Sequence, residues 1–397
     1  MEKQTNSFPV KITLLVVSTL TIMAGATIAP SLPAMQQHFA NLANVAYWVR
    51  LVLTVPALFI AIGAPFVGVL IDQLGRKPML ATALLVYGLA GSSGLWLSSI
   101  SFILVGRALL GLSVAGIMTT ATALIADYYT GPKRGQFLGL QAAFMALGGV
   151  VFLSVGGFLA DINWRMPFFI YLIALLLVPC VLLFLPEPNR IVTGSGTQAN
   201  FQDEPVSLPM SLVVLTYGIA LLTQLVFYLI PVQLPFYLQN LVNANASQSG
   251  LAIALTTLCS AVSSILYQRI KARLSFISIY GIAFLNMAVG YGFISLANGY
   301  AVVLPGLAIA GLGLGLLMPN MNFCLTSIAP GAARGRVLGG LTTSFFLGQF
   351  LSPLVSQPLS QLVGLNTTYG LAGAVMAILA LVTMVFLVQQ RPSRYPS

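Results

Sequence analysis

The sequence predicts an all-helical protein of twelve membrane-spanning helices arranged as two six-helix bundles, and three observations carry that expectation. The first is composition: the chain is 58% hydrophobic and only 6% charged, against about a quarter charged in soluble chains, too little to cover a water-facing surface. The second is run length, since at about 33 residues per apolar run and loop, twelve spans of roughly 20 to 25 residues use up the 397 residues. The third is an internal repeat. Gly131-Pro-Lys-Arg134-Gly135-Gln-Phe-Leu138-Gly139 matches Gly331-Ala-Ala-Arg334-Gly335-Arg-Val-Leu338-Gly339 at an offset of 200, and Gly111 pairs with Gly311 and Gly148 with Gly348 at the same offset. Duplicated units of this kind place a binding site between them. A transmembrane β-barrel would alternate apolar and polar residues in segments of about ten, whereas these runs are continuous and contain Gly and Pro.

Apolar runs bounded by charges or by Pro and Gly place the spans near 12–36, 46–71, 78–99, 101–127, 136–160, 166–186, 209–238, 248–269, 275–297, 300–327, 336–362 and 367–389. The first span follows about ten residues, most of them polar, without a small-residue cleavage site, so it is expected to remain part of the protein. His38 near its outer end reads as a solvated interfacial histidine. The fourth span holds Arg107, the one charge deep in a span, and a charge at that depth is a functional candidate by default. A helix-packing arginine satisfied by carbonyls is the other reading. Spans six and twelve are aliphatic almost throughout, 172–185 and 371–388, and should face lipid. Cys180, Cys259 and Cys324 lie in apolar runs and read as core-packing residues rather than a disulfide framework.

The stretch 190–208 has no apolar periodicity and reads as a solvated linker, dividing the chain into bundles at 1–189 and 209–397. In span seven stand Gln224 and Tyr228. Span eight puts Thr256, Ser260, Ser263, Ser264 and Tyr267 on one face. Span ten carries Asn320 and Asn322, and span eleven Gln349, Pro353 and Gln357. Polar groups on otherwise apolar helices face a wet interior or hydrogen-bond between packed helices. Gly311, Gly313 and Gly315, inside span ten, suit close helix packing.

Fourteen of the seventeen Lys and Arg residues fall on one side of this topology, so the positive-inside rule puts both termini in the cytoplasm. The net charge of +10 is then a topology signal, not a nucleic-acid one. All seven acids fall at span ends or in loops. With no carboxylate at mid-membrane, a permanently cationic substrate gains no counter-ion, so the expected substrate is neutral, zwitterionic or anionic.

Between spans two and three runs Gly68-Val-Leu70-Ile-Asp72-Gln-Leu-Gly75-Arg76-Lys77-Pro-Met-Leu80. Asp72 closes a helix, Gly75 permits a tight turn, and Arg76 and Lys77 anchor the cytoplasmic face. This resembles the signature loop, motif A, of the major facilitator superfamily. Span number, duplication and central linker extend the resemblance over the whole chain. Within the superfamily the chain looks most like the twelve-span drug:proton antiporter branch, on Ala29-Pro30-Ser-Leu32-Pro33-Ala-Met, Arg107-x-x-x-Gly111, Ala126-Asp127 and Trp164-Arg165. The resemblance implies a cytoplasmic latch of Asp72, Gly75, Arg76, Lys77 and Asp127. It also implies hinge or packing roles for Gly111, Gly148, Gly156, Gly157 and Pro353. Where the branch has Gly-Pro in span five this chain has Phe152-Leu153, which leaves the direction of transport open, and Leu110 stands where motif B usually has Gln.

The expected function is alternating-access secondary transport, as proton-coupled efflux of small amphipathic molecules. Arg107, Gln224, Tyr228, Thr256, Ser260, Asn320, Asn322 and Gln349 are the expected substrate or proton pathway. The alternative is a facilitator or importer of a sugar, siderophore or other metabolite. A channel or receptor is disfavoured because no repeated ring motif appears. A single histidine and the absence of a G-x-x-x-x-G-K-S/T run speak against metal and nucleotide sites, so neither a metal, a cofactor nor an enzymatic activity is expected. The expected partners are the substrate, protons and the lipid bilayer, with the chain a monomer in a bacterial inner membrane.

Overall fold

The computed structural model describes residues 7–188 and 209–389, and these are helical with no strand among them. The first bundle comprises α1 (Phe8–His38), α2 (Val45–Leu74), α3 (Arg76–Gly91), α4 (Ile100–Tyr128), α5 (Gly131–Ile162) and α6 (Met166–Phe184). In the second are α7 (Met210–Val242), α8 (Ala246–Lys271), α9 (Phe276–Ser295), α10 (Tyr300–Ile328), α11 (331–363) and α12 (365–389). The linker assigned to 190–208 lies outside the described residues, as do Lys3, Arg190, Arg391 and Arg394 of the basic set.

Two glycines decide where helices stop. Gly75, at φ 96°, separates α2 from α3 in a single residue, a backbone conformation that a Cβ would strain. Gly364, at φ 79°, breaks the helical stretch Gly331–Gln389 into α11 and α12. The turn between α7 and α8 uses other devices: Asn243 adopts a left-handed φ of 52°, and Asn245 caps α8 by accepting from the Gln248 amide while the Gln248 side chain returns to the Asn245 amide.

The duplication seen in the sequence is also present in three-dimensional detail. The Gly111 site in α4 faces the carbonyl of Pro56 in α2, and the Gly311 site in α10 faces the carbonyl of Thr256 in α8. Both contacts sit at the 200-residue offset, and both let helix backbones approach as small residues do in membrane bundles. Gly148 meets Thr19 of α1, and Gly348 meets the Leu221 carbonyl of α7. A second correspondence involves tyrosines. Tyr87 and Tyr171, from α3 and α6, lie 5.7 Å apart and donate to the α1 carbonyls of Leu20 and Ala24. Tyr291 and Tyr369, from α9 and α12, lie 5.9 Å apart and donate to the α7 carbonyls of Val226 and Leu229. Ala24 stands just before the 3-10 turn at Ala29–Ser31, Val226 and Leu229 flank the break in α7 at Tyr228, and Leu20 lies within the regular part of α1. Hydrocarbon offers no water to a carbonyl freed at a helix break, and a side-chain donor supplies that bond.

The aliphatic faces of α6 and α12 are turned outward: Leu176 and Leu183, like Leu381 and Val388, are exposed. Within a bilayer that surface meets lipid. The bundles meet where α5 packs along α8 and where α2 packs along the 331–389 stretch.

Candidate substrate pathway and its two faces

The turn between α2 and α3 marks the basic face of the molecule. Arg76 donates to Asp127, the next-to-last residue of α4, at 2.6 Å, with each side chain about 29% exposed. Glu187, just beyond α6, accepts from the backbone amides of Arg76 and Lys77 at 2.8 Å each. A carboxylate at the first turn of α3 satisfies donors the helix cannot pair and sits favourably in its dipole. The Tyr128 hydroxyl donates to the Pro186 carbonyl. Three segments of the first bundle are thereby fastened at this face. The Asp72 side chain, part of the expected latch, lies outside the described residues.

At the opposite face the bonds cross between bundles. Asp161, at the end of α5, accepts from the amides of Ala246 at 2.7 Å and Ser247 at 3.3 Å, the first residues of α8. Arg50, 4% exposed in α2, donates to Gln233 of α7 at 3.0 Å, to Gln36 at 3.0 Å and to the Ala46 carbonyl at 2.8 Å, and its guanidinium lies 3.9 Å from the centre of the Phe236 ring. Gln233 in turn donates to Ser356 and Gln357 of α11. Deeper in, the Gly157 site touches the α8 backbone at Ala246, Ser247 and Gly250.

Along α5 the contact reaches as far as Gly149, whose site meets Thr257 of α8. Gly139 lies five helical turns from Gly157, on the same side of α5, and a Cβ built there meets nothing within 4 Å. The bundles therefore touch at the opposite face and part toward the basic face. Near the middle, the Tyr228 hydroxyl of α7 approaches the Gly25 site of α1. On the basic side of that closure are two polar pairs: Gln141 donates to Ser18 at 2.8 Å, and Gln349 to Gln224 at 3.4 Å.

Arg107 is fully buried within the first bundle. Its guanidinium donates to the Val52 carbonyl at 2.9 Å and the Ala24 carbonyl at 2.8 Å, and stands 5.1 Å from the centre of the Tyr171 ring. The two carbonyl bonds are those of a helix-packing arginine, while its buried Nη1 atom has no hydrogen-bond partner among the described residues. The polar residues of α8 pack and hydrogen-bond between helices, one of the two readings the sequence allows. Thr256, Ser263 and Tyr267 are buried, with the Ser260 carbonyl and Ser263 hydroxyl against the Gly315 site and the Tyr267 hydroxyl donating to Asn320 at 3.2 Å. Asn320 is itself fully buried and donates to the Phe276 carbonyl. This stripe packs against α10, whose glycines at 311 and 315 let the α8 backbone approach closely. Ser260 and Asn322 are half-buried, Asn322 donating to the Met318 carbonyl one turn back. In the hinge or packing set, Gly156 abuts the Thr27 carbonyl, and Pro353 is buried in α11 beside Ser352, which donates to the Leu225 carbonyl.

Residues 14–216 and 216–397 match the family described as the Major Facilitator Superfamily. The chain belongs to the major facilitator superfamily. Its curated relatives include the quinolone resistance protein NorA of Staphylococcus aureus strain Mu50, 24% identical over 82% of this chain and 84% of that one. The niacin transporter NiaP of Acinetobacter baylyi is 30% identical over 36% of this chain, and the chain spans only 33% of that relative. Among solved structures, a D-xylose-proton symporter superposes with a TM-score of 0.82 at 18% identity, covering 95% of this chain and 97% of that one. At that identity the likeness shows the superfamily fold alone.

Within that fold, sequence reading missed Arg50, Asp161, Glu187 and Gln141. Arg50 and Gln233 did leave a signal, as polar residues at matching depths of spans two and seven. Asp161 and Glu187 stood in plain view as span-end acids, but the helix N-terminus each one meets is far away in sequence.

Proposed function

We propose that this member of the superfamily is a secondary transporter that exports small neutral, zwitterionic or anionic molecules in exchange for protons, by alternating access. The observation that carries the reading is the contrast along α5, joined to α8 at Gly157 and free at Gly139. Such a molecule presents its central polar residues to one face at a time. The bundles assigned to 1–189 and 209–397 are the moving units, and the basic face is cytoplasmic, with both termini there and the chain working as a monomer in a bacterial inner membrane. In this state the molecule is open inward, and the loop of Asp72, Gly75, Arg76 and Lys77, with Arg76 already paired to Asp127, is the latch element of the first bundle that meets the second when the cytoplasmic side closes. Gln224, Gln349 and Tyr228, with Gln141 and Ser18, are the central polar groups of the solute pathway, and the half-buried Ser260 and Asn322 are assigned to it as well.

The absence of acidic side chains from the described middle of the spans supports the substrate charge class. The name of NorA supports export of a drug-like solute. Phe152-Leu153 in α5, where the antiporter branch has Gly-Pro, favours the second reading, import of a sugar or other metabolite. Flux into proteoliposomes under an imposed pH gradient, with dyes, zwitterionic antibiotics, sugars and siderophores run side by side, separates the two. Accumulation against the proton gradient supports exchange; accumulation with it supports symport; no gradient dependence for any carried solute rejects proton coupling.

A further inference from the structure

At the face opposite the basic loops, the ends of α1, α2 and α7 and the α11–α12 turn enclose a pocket of about 510 Å³. That volume falls within the roughly 300–1,000 Å³ of small-molecule sites. Both bundles line it: Gln36 and Arg50 from the first, Gln239, Gln357, Gln361 and Asn366 from the second. Arg50 is the one charged residue in its wall. Its partners, Gln233, Gln36, the Ala46 carbonyl and the Phe236 ring, are all formally neutral. They satisfy donor directions without neutralising the charge, and a desolvated cation in that condition is costly until an anion joins it. Around it, side-chain amides offer donors and acceptors suited to hydroxyl or amide groups on the same ligand.

We propose that this pocket binds a small organic anion, a carboxylate bearing polar substituents, which arrives from the face opposite the basic loops and pairs with Arg50. The site is separate from the central Gln224–Gln349 pair. Because its walls come from both bundles, an occupant ties them together at the closed face, favours the conformation described here and slows the transport cycle from outside. Binding to the closed conformation shifts the equilibrium only in proportion to its preference for that state.

The test is a binding titration on the purified full-length protein in nanodiscs at constant ionic strength, read by thermal unfolding and calorimetry. Its probes are gluconate, citrate and benzoate, with the neutral gluconamide as control. We expect saturable stabilisation by at least one carboxylate, with gluconamide at least tenfold weaker than gluconate if gluconate is that ligand. Arg50→Gln weakens the bound anion at least tenfold. Gln361→Glu retains Arg50 and adds a carboxylate to the wall, so it gives the same weakening even if Arg50→Gln fails to fold. Gln224→Ala leaves the affinity unchanged. The proposal is overturned if no carboxylate binds saturably, if gluconamide matches gluconate, if Gln361→Glu binds as wild type, or if Gln224→Ala abolishes binding. Transport is not needed for any of these readings, so the site stands or falls separately from the proposed function.

Discussion

Arg107 and Arg50 are both buried cations in membrane-spanning helices, and their partners give them different roles. Arg107 is held by two backbone carbonyls inside one bundle, so it fastens α4 to α1 and α2. Hydrogen bonds to charged groups contribute roughly 1.5–3 kcal/mol each, and Arg107→Gln should lower the unfolding temperature in detergent markedly while leaving the charge preference for solutes unchanged. Native stability with an altered anion-to-cation preference would instead make Arg107 a substrate-reading group. The Arg76–Asp127 pair is partly exposed, and such pairs are worth about 0–1 kcal/mol. Arg76→Ala should therefore cost little stability yet impair flux by removing the latch. Wild-type flux, or loss of the protein from the membrane, would each contradict that.

At the scale of the element, close approach between helices controls the account. A Cβ at Gly111 would collide with the Pro56 carbonyl, and overpacking typically costs about 1–3 kcal/mol, so Gly111→Leu should reduce both unfolding temperature and yield. Gly157→Val acts across bundles, prising α5 from α8. Cysteine-accessibility labelling should then show the opposite face more open while the basic face becomes protected; an unchanged labelling pattern would remove the hinge reading of this contact. Helix positions were legible in the sequence because apolar runs end at glycine, proline or charge, as at Gly75 and Gly364. The facing of α8 was not legible. A stripe of Thr256, Ser263 and Tyr267 announces a polar face, but not whether water or α10 lies opposite. Gly311 and Gly315, one helical turn apart on α10, were the available clue. The break in α7 at Tyr228 had a signal in Pro231 three residues on, which has no amide to bond the preceding turn, but the donors that support the carbonyls there, from α9 and α12, were not legible.

For the whole molecule, the duplication was readable as a 200-residue offset because motifs recur. The tyrosine pairs that repeat it in space were not, since they drift from that offset by a few residues. Membrane orientation gives a direct check. A reporter fused after Ser397 should read cytoplasmic and one inserted near Asn243 to Asn245 external, and reversal at either position would break the twelve-span topology. Alternating access itself requires the Asp161–Ala246 contact to open once per cycle. The measurement that tests this most directly is solute flux in proteoliposomes carrying Asp161→Cys with Ala246→Cys, at positions joined by a 2.7 Å hydrogen bond, compared with each single variant. Flux should stop when the pair is oxidised and return on reduction, with the single variants active throughout. Undiminished flux through the fully cross-linked protein would contradict the account.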